Sequence, residues 1–155
     1  MFRKTVAALA FVAVAITAAA ELSAQNQNPR FGRWKLKSDN PPPSSNIMTY
    51  EPFGAKGMKV TVESVNAKGE KNSWWYTTEF DGKDMPVTGQ ENSTSAVRTV
   101  TDRINEIVNK RNGRVRQTLV NVLSQDGNTI GVMYMNDDGT GKITNITVAT
   151  YERIK

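Results

Sequence analysis

The chain has 155 residues, with 20 basic against 15 acidic side chains and a net charge of +5. It contains no cysteine and no histidine. Disulfide support, thiolate nucleophiles and Cys/His zinc sites are therefore excluded, and the commonest general base is missing.

In chain order, the first segment reads as a targeting leader. A short basic head, Met1-Phe2-Arg3-Lys4, precedes an apolar run over residues 6–20 that is interrupted only by Thr17. Small residues at Ala18-Ala19-Ala20 and at Ala24 offer cleavage points. This is the pattern of a signal peptide over residues 1–24, cut after Ala24 or Ala20. A run of about 15 residues is short for roughly 30 Å of hydrocarbon. No later segment is apolar enough to cross a membrane, so a secreted, periplasmic protein is expected. Cleavage after Ala24 removes Arg3, Lys4 and Glu21, leaving 18 basic and 14 acidic residues, net +4. The remaining 131 residues suit one domain: a flexible polar lead-in over 25–30, then a folded body over 31–155.

Beyond the lead-in the sequence alternates between strands and turns. The predicted strands are 31–37, 46–52, 57–66, 72–80, 83–88, 95–101, 103–110, 114–124, 128–136 and 143–154. Alternation is clear in several of them. Met58, Val60 and Val62 oppose Lys59, Thr61 and Glu63, and Trp74, Tyr76, Thr78 and Phe80 oppose Trp75, Thr77 and Glu79. Ile130, Val132 and Tyr134 oppose Gly131, Met133 and Met135. Residues 101–110 also carry Ile104, Ile107 and Val108 at helical spacing, but the closely spaced turns around them favour a strand. Asn66-Ala67-Lys68-Gly69, Asp81-Gly82, Asn112-Gly113, Asp126-Gly127 and Asp138-Gly139 supply hairpin chemistry, because these residues tolerate positive φ.

Two stretches break the rhythm. Asn40-Pro41-Pro42-Pro43-Ser44-Ser45 lacks three backbone donors and reads as a solvated loop. In the nine residues from Asp81 to Gly89, Pro86 cannot donate to a ladder, so this short strand belongs at an edge or beside a gap. A long meander without helices does best by closing, since closure removes unpaired edges. The expected fold is all-β: an antiparallel up-and-down β-barrel of about 8–10 strands, lipocalin-like, with an open sandwich as the alternative.

The charges carry little chemistry. Lys110-Arg111, Arg114 and Arg116 form the densest basic group and flank a turn, which reads as a solvated hairpin tip, so no nucleic-acid partner is expected. Asp137-Asp138-Gly139-Thr140-Gly141 lacks the spacing of a calcium loop. Glu63, Glu79 and Glu106 lie opposite the apolar faces of their strands, and no serine has a histidine partner. No enzyme activity, metal or cofactor is expected.

Gly32-Arg33-Trp34 on the first strand resembles the Gly-x-Trp of the calycins, the lipocalins and fatty-acid-binding proteins, and Thr150-Tyr151-Glu152-Arg153-Ile154 resembles the final fatty-acid-binding-protein strand. The resemblance implies a barrel whose base is plugged by Trp34, with Gly32 allowing close backbone approach. It departs at Ala149, where that family's Arg-x-Tyr places an arginine before the residue matching Tyr151. The chain is also similar to small exported bacterial proteins of unassigned function, through Gly32-Arg33-Trp34-Lys35-Leu36, Pro41-Pro42-Pro43, Tyr50-Glu51-Pro52 and Asp81-Gly82-Lys83-Asp84-Met85-Pro86-Val87-Thr88-Gly89.

The expected function is binding of a small apolar or amphipathic ligand. The candidate residues are Trp34, Trp74, Tyr76, Arg98, Arg116, Met133 and Tyr151. Tyr76, Met133 and Tyr151 would line a cavity, while Arg98 and Arg116 would reach an acidic head group. The alternative is a module binding a protease or envelope protein through the outward member of the Trp74-Trp75 pair and the rim loops 38–46 and 89–94.

Overall fold

The computed structural model describes residues 28–155; the leader over 1–24, its cleavage points and residues 25–27 lie outside the described residues. Ten strands follow one another: β1 (Gly32–Leu36), β2 (Ser45–Phe53), β3 (Gly57–Val65), β4 (Lys71–Thr78), β5 (Asp81–Pro86), β6 (Ser93–Thr101), β7 (Ile104–Arg111), β8 (Arg114–Leu123), β9 (Thr129–Asp137) and β10 (Ile143–Ile154). Among the described residues none is helical. The helical alternative over 101–110 is not realised: Thr101 ends β6, residues 102–103 turn, and β7 runs from Ile104 to Arg111.

All ten strands form one antiparallel sheet in the order β4-β3-β2-β1-β10-β9-β8-β7-β6-β5. The first and last strands pair, with Trp34 opposite Arg153 and Leu36 opposite Tyr151. That pairing wraps the meander into a barrel and leaves β4 and β5 as facing edges. These edges meet at a single bridge, where Trp75 and Thr88 exchange backbone hydrogen bonds of 3.0 and 2.9 Å. Gly89 follows at φ +89°, and a Cβ there would stand 2.6 Å from the Ser73 carbonyl oxygen. The glycine is required because the loop backbone lies directly on β4. The nine-residue stretch ending at Gly89 is thus an edge strand plus the clasp that pins it across the gap.

Period-2 alternation sets the core. Cross-strand rows run round the inner wall: Tyr50, Val60 and Tyr76 are neighbours across β2, β3 and β4, and Val97, Ile107, Leu119 and Tyr134 across β6 to β9. Local turn chemistry holds the register. Asn112 (φ 52°) and Gly113 (φ 72°) form the two-residue turn that sets Arg111 opposite Arg114.

The base of the barrel is sealed by three side chains from the two ends of the described chain, Arg30, Trp34 and Arg153. Trp34 is fully buried, and its indole N–H donates to the Arg30 carbonyl at 2.8 Å. Arg153 lies across the indole face and donates from Nε to the Gly127 carbonyl, and from its two terminal nitrogens to the Phe31 and Pro29 carbonyls. Arg30, assigned by the sequence to a flexible lead-in, is buried here. Its Nη2 donates to the Arg103 carbonyl at 2.6 Å, which ties residues 28–30 to the β6–β7 turn. Gly32, at φ +126°, makes room for a side chain: a Cβ would sit 2.8 Å from Arg153 Nη1.

Candidate functional site

Above the Trp34 base the barrel encloses a cavity of about 210 Å³. The inward positions of β2, β3 and β4 form one wall, with Met48, Tyr50, Val60, Val62, Trp74 and Tyr76. Trp74 and Tyr76 stack, their ring centres 6.1 Å apart and their planes 12° from parallel. The opposite wall comes from β7 to β10 and includes Ile107, Leu119, Val132, Tyr134 and Tyr151. The sequence contains four tyrosines, and all four line this cavity.

The polar groups of the cavity are uncharged. The hydroxyls of Tyr134 and Tyr151 are 3.1 Å apart and share a hydrogen bond. Asn121 donates through Nδ2 to the Tyr50 hydroxyl at 3.3 Å. Across the upper rim runs a ladder of side chains: Ser95 Oγ donates to Asn109 Oδ1 (2.7 Å), Asn109 Nδ2 to Gln117 Oε1 (3.2 Å), and Gln117 Nε2 to Asn136 Oδ1 (2.8 Å). Trp74, Asn109 and Gln117 also line a hollow of about 670 Å³ at the open end, so the ladder separates cavity from mouth. Two buried oxygens on the cavity lining, Asn46 Oδ1 and Asn121 Oδ1, have no hydrogen-bond partner.

Burial dominates the electrostatics. It pushes the Tyr50 hydroxyl up to about 12, against the opposing pull of the Asn121 hydrogen bond and the Arg30 charge. It also raises Tyr76, Tyr134 and Tyr151 above the ordinary tyrosine value. Arg30 is lowered by burial, with electrostatic interactions with Tyr50 and Asp102 opposing. A wall of neutral phenols and carboxamides disfavours a buried ion, because no counter-charge faces it.

The residues singled out by sequence divide into two groups. Trp74, Tyr76 and Tyr151 converge on the cavity. Trp34 lies beneath it as part of the base. Arg98 does not face the interior: it projects outward and forms a two-point ion pair with cross-strand Glu106, at 3.0 and 2.9 Å. Arg116 stands at the mouth, where Nη1 donates to the Asp138 carbonyl at 2.8 Å. Both charges keep solvent and a partner, which the apolar interior would deny them. Met133 is 39% exposed on the outer wall, because the strand parity that brings Tyr134 inside turns Met133 out.

Asn46, Tyr50, Asn121 and Tyr134 were not among the expected site residues. Tyr134 shares the parity of Ile130 and Val132, which is the signal that could have found it. The asparagines carry no such mark, since a polar residue at an inward position normally reads as a loop or surface residue. On the outer wall, Val148 (80% exposed) lies opposite Met133, and Ile146 (57% exposed) lies two residues before it. Trp75 also faces outward, with Lys59 Nζ 4.8 Å from its ring centre.

No protein-family model matches the chain, and no curated protein matches it. Solved structures do. The Schistosoma mansoni fatty acid binding protein in complex with arachidonic acid is 15% identical, with a TM-score of 0.57, covering 82% of this chain and 97% of that one. The wild-type fluorescent protein UnaG is 15% identical, with a TM-score of 0.54, covering 80% of this chain and 96% of that one. The likeness is one of fold: the chain is a ten-stranded antiparallel barrel with a calycin-like fold, similar to that of the fatty acid binding protein.

Proposed function

We propose that this barrel is an exported, periplasmic protein that holds one small apolar or amphipathic molecule in its interior. The observation that carries the reading is the cavity of about 210 Å³ into which Trp74, all four tyrosines and two unpartnered carboxamide oxygens converge. An apolar, aromatic wall with a few placed polar groups is the usual composition of a small-molecule site. A barrel of eight to ten strands has room for one such ligand. The fold likeness to a protein solved with arachidonic acid supports the same direction. The basic head and apolar run at residues 1–20 support export. A binding role, without catalysis, is proposed: Glu63, Glu79 and Glu106 are not among the cavity residues.

Native mass spectrometry of the protein purified from its own periplasm tests the reading. A co-purifying small-molecule mass is expected, on a chain beginning at Gln25 or Glu21. A full-length chain retained in the cytoplasm would refute export, and a ligand-free mass from every preparation would refute carriage.

A second reading, docking of an envelope protein, is favoured by the outer wall, where Val148, Ile146 and Met133 form an exposed apolar stripe on β9 and β10. Replacing Val148 and Ile146 by Lys should leave cavity binding intact, and should abolish cross-linking to an envelope partner if this surface is the functional one.

A further inference from the structure

The chemistry of the cavity wall restricts what the ligand can be, given that the barrel binds one there. No lysine, arginine, aspartate or glutamate lines the cavity. Arg30, the buried cation of the base, turns its terminal nitrogens to the carbonyls of Asp102, Arg103 and Asn121. Arg98 is paired outside with Glu106, and Arg116 is held at the mouth. A carboxylate brought into this space would be desolvated without a counter-charge, which is strongly unfavourable. The four phenols cannot supply one, since burial holds them neutral.

The buried atoms left unpaired on the cavity lining are both acceptors. Asn121 is buried, and its Nδ2 is engaged by Tyr50 while its Oδ1 has no partner. Asn46, the second residue of β2, likewise leaves Oδ1 buried and unpaired. A buried acceptor without a donor is rare and costly, so these oxygens mark where donors are wanted. The stacked pair of Trp74 and Tyr76 offers a flat aromatic surface beside them. The volume of about 210 Å³ falls below the roughly 300–1,000 Å³ of drug-sized sites, which calls for a compact molecule.

We infer that the ligand is a compact, uncharged, ring-containing molecule that donates N–H or O–H hydrogen bonds to Asn46 and Asn121, and that fatty-acid-like anions are rejected. The inference rests on the carrier reading above and can fail separately from it.

Calorimetric titration with three probes tests it: indole, which is flat and carries one N–H; benzofuran, of the same shape without a donor; and octanoate, an apolar anion. Indole should bind about tenfold more tightly than benzofuran, and octanoate should show no saturable binding. Because indole has a single N–H, the variant that removes the oxygen it uses, Asn121→Leu or Asn46→Leu, should bring the indole-to-benzofuran ratio down to about two- or threefold, and the double variant should do so whichever oxygen accepts, while benzofuran affinity holds. Near-UV circular dichroism reports whether each variant keeps its packing. If the double variant fails to fold, the two single variants carry the test, and an unchanged ratio in both would overturn the inference. Benzofuran binding as well as indole, or octanoate binding more tightly than either, would overturn the inference and leave the cavity as a ligand site. Failure of all three probes, together with a ligand-free native mass, would overturn the carrier reading itself.

Discussion

The guanidinium carbon of Arg153 lies 4.1 Å from the centre of the Trp34 ring. Trp34 stands at the start of the barrel wall and Arg153 at its end, and they are direct partners across the β1–β10 seam. The contact therefore closes the base and the circumference together. Arg153→Ala would remove a cation–π contact and leave three backbone carbonyls without their donor. A loss of about 2–4 kcal/mol is expected, read as a lower urea midpoint. Gly32→Ala should destabilise by about 1–3 kcal/mol, because it forces a left-handed φ on a residue with a side chain and crowds Arg153 Nη1. An unchanged midpoint for both would show that the clasp contributes nothing.

The gap between β4 and β5 should be the first part of the wall to open. Two backbone hydrogen bonds hold it, both at the Trp75–Thr88 bridge. On β4 the amide of Thr77 points to the gap, while that of Tyr76 points to β3. Hydrogen exchange should be about tenfold or more faster at Thr77 than at Tyr76. Gly89→Ala, which drives a methyl against the Ser73 carbonyl, should extend fast exchange to Trp75. Equal protection on both edges of β4 would mean that the two edges are zipped.

Alkali should unfold this protein at a pH set by its tyrosines. In the unfolded chain they ionise near pH 10. In the folded barrel burial raises all four, Tyr50 to about 12. Above about pH 10 the folded state retains protons that the unfolded state releases. Stability is thus fully present below pH 10 and falls as pH rises through the folded values, by about 1.4 kcal/mol per pH unit for each tyrosine held neutral. Tyrosinate absorbance should rise together with the loss of β-sheet circular dichroism. Gradual ionisation with the sheet intact would place the hydroxyls in solvent.

Arg98 should prove dispensable. Its ion pair with Glu106 is exposed on the outer wall, and such pairs contribute about 1 kcal/mol or less. Arg98→Ala should shift the urea midpoint slightly and leave indole affinity unchanged, whereas Trp74→Ala should weaken indole at least about tenfold. A lost affinity in Arg98→Ala would bring that side chain back into the site.

Local chemistry made the strands and turns readable. Asn112-Gly113 makes a hairpin wherever it lies between alternating runs, because its positive φ values suit the twist of the flanking strands. Alternation likewise set Trp74 and Tyr76 on one face, whereas Tyr151 was marked by the resemblance of the last strand. On β9, alternation sets Tyr134 with Ile130 and Val132, opposite Met133, but both faces carry apolar residues, and closure of the wall decides that the Tyr134 face turns inward. The charges of Arg98 and Arg116 were legible, but not their direction, which depends on Glu106 and on the Asp138 carbonyl. Closure alone brings Arg30 to residue 103, Arg153 to Phe31, and Asn121 to Tyr50. The amino-acid sequence by itself determined a meander of ten strands with an aromatic-rich inner face. The tertiary structure decided which seam stays open, which asparagines are left unpaired and how much space remains inside, because these depend on contacts between residues distant in the chain.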